Sequence, residues 1–130
     1  VQNYGTVLAT IADHDKAEAL PLLRRFYNLG FNMEATEGTA AYMKEHGIRT
    51  RALNKISEGS SDIPDALRQG HIAYVINTKE IDHTGKESDG YEIRHAATDN
   101  NVTMFTALDT VRVLLDVLEE TTLTISTIDA

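Results

Sequence analysis

The chain has 130 residues, 42% of them apolar and 25% charged, a formal net charge of −8 and no cysteine. That length and usage suit one globular domain with one core. Without thiols there is no disulfide and no thiolate metal site. The acidic balance argues against a nucleic-acid backbone as main partner, and no apolar run reaches the roughly 20 residues of a membrane-spanning helix. A small phosphate ester stays open, because it needs only a few local cations and backbone donors. The opening on Val1 without a signal-peptide pattern, and the lack of cysteine, lead us to expect a cytoplasmic segment cut from a longer polypeptide.

In chain order, Gly5 to Ala12 is an apolar run of strand length, followed by a polar turn at Asp13-His14-Asp15. From Lys16 to Leu29, the residues Ala17, Leu20, Leu23 and Tyr27 recur at helical spacing, and Gly30 stands where a closing glycine is expected, although Pro21 interrupts the run. Phe31 to Ala35 reads as a strand, Thr39 to His46 as a short helix closed by Gly47, and Thr50 to Asn54 as a short strand. A loop over Ser57 to Ser61 leads into a helix from Ile63 to Gln69, and His71 to Asn77 is the plainest buried strand. Lys79 to Gly90 reads as a long polar loop, Tyr91 to Asp99 as a helix, Val102 to Phe105 as a small strand and Ala107 to Glu120 as an apolar-periodic helix. Thr121 to Ile128, rich in β-branched residues, predicts a last edge strand or a tail.

Strands alternating with helices predict βαβ crossovers: a three-layer, doubly wound, mostly parallel sheet with helices on both faces. Ligands of such sheets bind outside the carboxyl ends of the strands. The residues falling there are Asp13 to Lys16, Thr36-Glu37-Gly38-Thr39, Asn54-Lys55, Asn77-Thr78-Lys79 and Thr103 to Thr106. Hydroxyls, amides and lysines dominate this set, and its chemistry suits an anion. Thr36 and Thr39 flank Gly38 at a strand-to-helix turn, where a helix start offers unpaired N–H groups. Lys16 and Lys55 each add a point charge, while Asn77 and Thr78 suit a sugar or further phosphate oxygens. Each has a plainer role open to it: a cap at Thr39, a turn at Thr36, solvated helix surface at Lys16. Convergence of several turns on one expected crevice favours the ligand.

Other chemistries fare worse. His14, His46, His71, His83 and His95 show no metal-ligand spacing, and Asp13-His14-Asp15 reads as a solvated turn. There is no nucleophile elbow and no glycine-rich phosphate loop. Asp82, His83, Glu87 and Asp89 read as a solvated acidic loop.

The segments GTVLATIA (5–12), EATEGTA (34–40), NKISEG (54–59) and VINT (75–78) resemble the methylglyoxal-synthase-like domain. More narrowly, NKISEG and the INT within VINT resemble the version that ends the large subunit of carbamoyl phosphate synthase. The resemblance runs from Gly5 to about Glu120 and implies a regulatory rather than catalytic domain. It would bind uridine monophosphate, inosine monophosphate or phosphoribosyl pyrophosphate, and would bias distant ATP-using sites. Carried over by motif, the effector pocket is Lys16, Thr36, Gly38, Thr39, Lys55, Asn77 and Thr78. At Lys79 some relatives have a second threonine instead, and the extra cation would suit a more highly phosphorylated effector. The resemblance further implies no metal or cofactor in this domain, and ATP with Mg or Mn in the parent ligase of pyrimidine or arginine synthesis. The partners it implies are the rest of the large subunit and a glutaminase small subunit.

The alternative within the same superfamily is methylglyoxal synthase, a lyase that eliminates phosphate from dihydroxyacetone phosphate. It would need Asp62 as base, assisted by His83, Asp82 or Asp89. Against it, Ser60-Ser61-Asp62 stands where that enzyme has Gly-Gly-Asp, and Asn77-Thr78-Lys79-Glu80 where it has Trp-Asp-Pro-Leu. The cyclohydrolase domain of purine synthesis shares the fold, and no motif here favours it.

Overall fold

The computed structural model describes residues 2–79 and 89–129. In chain order the elements are β1 (Thr6–Thr10), α1 (Lys16–Asn28), β2 (Asn32–Thr36), α2 (Glu37–Glu45), β3 (Arg51–Leu53), α3 (Asp62–Arg68), β4 (Ile72–Asn77), α4 (Asp89–Asp99), β5 (Thr103–Phe105) and α5 (Leu108–Asp129), with short 3₁₀ turns at Asp13–Asp15 and Ile56–Glu58. The strands form one five-stranded sheet in the order β3-β2-β1-β4-β5. Every pairing is parallel, as expected when each strand is followed by a crossover helix. The chain winds outward from β1 through β2 to β3, then returns to the other side of β1 for β4 and β5. The switch of direction therefore falls between β1 and β4.

Both faces of the sheet are covered, and the side chains sort by strand alternation. Val7, Ala9 and Ile11 of β1 and its continuation join Met33, Ala35 and Ile76 in a core shared with α1, α2 and α5. Leu8, Leu53, Ile72 and Val75 point the other way, onto Ile63 and Leu67 of α3 and Ile93 and Ala97 of α4. β1 is buried along its whole length, which explains its near-continuous apolar run. Glu34 is a polar member of the α3–α4 face, opposite Leu8 in register, and its Oε2 lies 3.1 Å from His71 Nε2.

α1 continues through Pro21. Pro21 and Ala17 are both exposed, so the carbonyl that loses its helical bond there is open to water. Arg25 ties α1 to α5 by bonding Asp116 at 2.8 Å and both carboxylate oxygens of Glu119. These contacts push the Arg25 guanidinium pKa up, the Glu119 hydrogen bond most of all.

Three expectations change. Thr121 to Ile128 is neither strand nor tail, because α5 runs on for 22 residues to Asp129. The Thr121 and Thr122 hydroxyls satisfy themselves on the carbonyls of Val117 and Leu118, each at 2.9 Å, so β-branching does not end the helix. α2 begins at Glu37 with Thr36 as its N-cap, placing Gly38 inside the first turn. α4 starts at Asp89; residues 80–88 of the expected long loop lie outside the described residues.

Leu115 is fully buried on the inner side of α5. Leu115→Ala should cost about 2–5 kcal/mol of unfolding free energy in a denaturant titration; a cost under about 1 kcal/mol would contradict this packing of α5.

Candidate functional site

Where β1 leaves the sheet, its backbone groups lose their strand neighbours and must find other partners. They find side chains from the ends of β4 and the start of α2. Ile11 N–H donates to Thr39 Oγ1 at 3.1 Å and Ala12 N–H to Thr78 Oγ1 at 2.9 Å, while Thr78 N–H donates to the Thr10 carbonyl at 3.1 Å. Thr10 Oγ1 donates to Asn77 Oδ1 at 2.8 Å, and the same oxygen accepts from Lys79 N–H at 3.2 Å. This polar clasp sits at the switch point between β1 and β4. Thr39, Thr10 and Asn77 are all buried, and their polar groups are taken up within the clasp.

Thr36 is different. It ends β2 and caps α2 in extended conformation, yet its hydroxyl makes no capping bond. Thr36 is 3% exposed, and its Oγ1 is buried without any hydrogen-bond partner. An orphaned buried hydroxyl costs about 1–3 kcal/mol. It stands at a helix start whose first N–H groups lack partners within the helix and favour an anion. Lys16 reaches the same place: its Nζ would lie 3.6 Å from a Cβ built on Gly38. Glycine at 38 thus leaves open the space between the ammonium and the first turn of α2.

Two further cations come from neighbouring strand ends. Lys55 follows β3 and Lys79 follows β4. Both act on the carboxylate of Asp13, which bonds Lys16 Nζ at 2.5 Å. The Lys16 hydrogen bond and charge, with smaller help from Lys79 and Lys55, hold the Asp13 carboxyl below its ordinary 3.8. A local positive field therefore exists on a chain whose formal net charge is −8.

The end of β5 belongs to different surroundings. A cavity of about 210 Å³ there is lined by Thr78, Thr106, Asp15, Glu18 and Asp109, whose acids disfavour a phosphate. A larger cavity of about 610 Å³ opens near the amino end of β2, among Asn32, Glu34, Arg49, Arg51 and His71. It lies at the opposite end of the sheet from the lysines.

Asp62 heads α3 and is committed to structure. Its Oδ2 accepts from Asn54 N–H at 3.0 Å and Asn54 Nδ2 at 3.1 Å, and its own N–H donates to Ser60 Oγ at 3.1 Å. The Asn54 backbone bond, first of several, lowers its carboxyl below 3.8. A carboxylate stabilised in this way is a poor proton acceptor. Asp82, His83 and Glu87 lie outside the described residues, as does the Asp89 side chain. Among the described residues no group of three or more His, Asp or Glu side chains could hold a metal ion.

Of the residues singled out by sequence, the structure brings Lys16, Thr36, Gly38 and Thr39 together around the start of α2. Asn77, Thr78 and Lys79 meet at the end of β4, and Lys55 reaches the group through its field at Asp13. The roles of Asp13, Thr10 and Asn54 were not visible in sequence. Asp13 and Lys16 stand three residues apart, a spacing that allows an ion pair, whereas the Thr10–Asn77 bond across the sheet has no signature in spacing.

Residues 18–106 match the family model of the MGS-like domain. The chain belongs to the MGS-like domain family. Among solved structures, this domain is similar to methylglyoxal synthase from Elizabethkingia anophelis NUHP1, with TM-score 0.70 and 18% identity over 88% of this chain and 79% of that one. It is also similar to ForH, with TM-score 0.65 and 15% identity over 89% of this chain and 80% of that one. At such identities the likeness concerns the fold. Among the described residues no helix is long and apolar enough to cross a membrane.

The two threonines at α2 should part company under isosteric replacement. Thr39→Val leaves the Ile11 N–H unpaired in the core and should lower stability by about 1–3 kcal/mol. Thr36→Val removes an orphan and should leave stability unchanged or slightly raised. Denaturant midpoints of the two variants check both; equal losses would mean that the Thr36 hydroxyl is satisfied in solution.

Because its folded-state pKa is depressed, Asp62 contributes stability above about pH 4 that is lost as pH falls below 3.8. Asp62→Asn should therefore melt lower than wild type at about pH 6, with the gap closing in acid. A pH-independent gap would contradict this role.

Proposed function

We propose that this chain is a phosphate-recognising regulatory module, and specifically the effector domain of a carbamoyl phosphate synthase large subunit. The observation that carries the anion site is the Thr36 hydroxyl, buried without a partner at the start of α2, with the Lys16 ammonium beside the same turn. A phosphoryl oxygen would accept from the hydroxyl, from the first amides of α2 and from Lys16, satisfying all three at once. Lys55 and Lys79 would neutralise the remaining charge. The effector is a nucleoside monophosphate or a phosphoribosyl compound. Asn77 and Thr78, whose side-chain oxygens bond the Lys79 and Ala12 amides, would shape the wall beside which a sugar of such a ligand would lie.

The assignment to the synthase, rather than to another MGS-like protein, is supported by the segments NKISEG and the INT of VINT. The bonding of Asp62 supports a non-catalytic role. The lyase alternative needs this carboxylate as base, yet here it holds the Asn54 turn and its proton affinity is lowered. Asp13 is likewise weakened as a base by Lys16. Binding without turnover suffices for regulation if the effector distinguishes two states of the parent enzyme.

Calorimetric titration of the 130-residue chain with uridine monophosphate, inosine monophosphate, phosphoribosyl pyrophosphate and dihydroxyacetone phosphate tests this function. Saturable binding of a nucleotide or phosphoribosyl ligand is expected, weakened about tenfold or more by Lys55→Ala with the melting temperature unchanged. Release of inorganic phosphate from dihydroxyacetone phosphate would establish the lyase instead.

A further inference from the structure

Asp13 is an unusual neighbour for a phosphate site. Its side chain is 95% exposed, whereas that of Lys16, to which it is bonded, is only 16% exposed. No helix cap is formed by the Asp13 side chain, since the 3₁₀ turn that it opens has Ala12 as its N-cap and no side-chain capping bond. Its contact is the Lys16 ammonium, and its surroundings are the fields of Lys16, Lys79 and Lys55, from three different strand ends. The acidic group thus sits within the field of these lysines, bonded to the one whose ammonium reaches the start of α2.

We propose that Asp13 is a built-in counter-anion of the crevice: it holds Lys16 in place while no ligand is bound, and yields the ammonium when a ligand phosphate enters. The inference rests on the reading of the crevice as a phosphate site. Its physical logic is one of exchange. An empty cluster of lysines would repel itself and let Lys16 wander into solvent, at the cost of ordering a long side chain on binding. A carboxylate on a short, exposed turn keeps Lys16 preordered and is easily returned to water. Phosphate, with more charge and more acceptor oxygens, outcompetes it for Lys16 and adds the α2 amides and the Thr36 hydroxyl. The exchange also sets a threshold. Ligands with a single weak negative charge gain little by replacing Asp13, so the site favours phosphate over carboxylate.

Asp13→Asn keeps the side-chain shape and removes the competing charge. In calorimetric titrations of the full chain with uridine monophosphate, this variant should bind about two- to fivefold more tightly than wild type. The gain should disappear when Lys16→Met is also present, because the competition is for Lys16. Acetate, as a monoanion probe, should gain in the same direction on Asp13→Asn, narrowing the preference for phosphate. Equal or weaker binding of uridine monophosphate by Asp13→Asn, or a gain that survives Lys16→Met, would overturn the role of Asp13 while leaving the crevice intact. Failure of wild type and variant alike to bind any phosphate ligand would overturn the crevice reading, and this inference with it.

Discussion

The structure depends on how the central strand ends. β1 is buried on both faces and flanked by β2 and β4, so the chain leaving it must satisfy its backbone with neither sheet partners nor bulk water. Thr39 answers Ile11, Thr78 answers Ala12 and Thr10 answers Asn77. The first two bonds pair backbone amides that would otherwise be left unsatisfied, and the third joins two buried side chains. The same bonds fix the relative positions of the α2 start and the β4 end. Those two walls define the crevice, so the requirement to terminate β1 and the geometry of the candidate site have one origin.

The clasp also separates residues that hold the crevice from those that meet a ligand. Thr39, Asn77 and Thr78 are committed to backbone. The Thr36 hydroxyl is not committed to anything, and the lysines reach the opening from different strands. A site with charge on flexible stems outside and fixed donors inside discriminates by charge first and by shape second. The acidic remainder of the molecule sharpens this, because repulsion elsewhere leaves the crevice as a local exception to the net charge of −8.

Much of this was legible in the sequence because parallel sheets write plainly. A strand buried on both faces appears as an apolar run, as in His71 to Asn77, and the residues after each run fall at one edge by topology alone. That logic places Lys16, Thr36, Lys55 and Asn77 at or after the carboxyl ends of the strands, where the structure has them. It could not tell Thr36 from Thr39, since both are threonines in one turn and only burial with bonding separates a spent hydroxyl from an orphaned one. It misread Thr121 to Ile128, because intrinsic β preference is weaker than the continuation of an established helix whose threonines bond their own backbone. The use of Asp62 to hold Asn54 lay beyond any pattern of spacing, and the i,i+3 spacing of Asp13 and Lys16 allowed their bond without requiring it.

The central claim is that a phosphorylated ligand docks on the start of α2, between the lysines at the carboxyl ends of the strands. Amide chemical shifts of the isotopically labelled chain, followed during titration with uridine monophosphate, test it most directly. The account predicts saturable shifts concentrated at Glu37, Gly38 and Thr39, with smaller ones at Ala12 and Thr78, and none at Arg49, Arg51 or His71. Shifts clustered at the opposite end of the sheet, around Glu34 and His71, would contradict it.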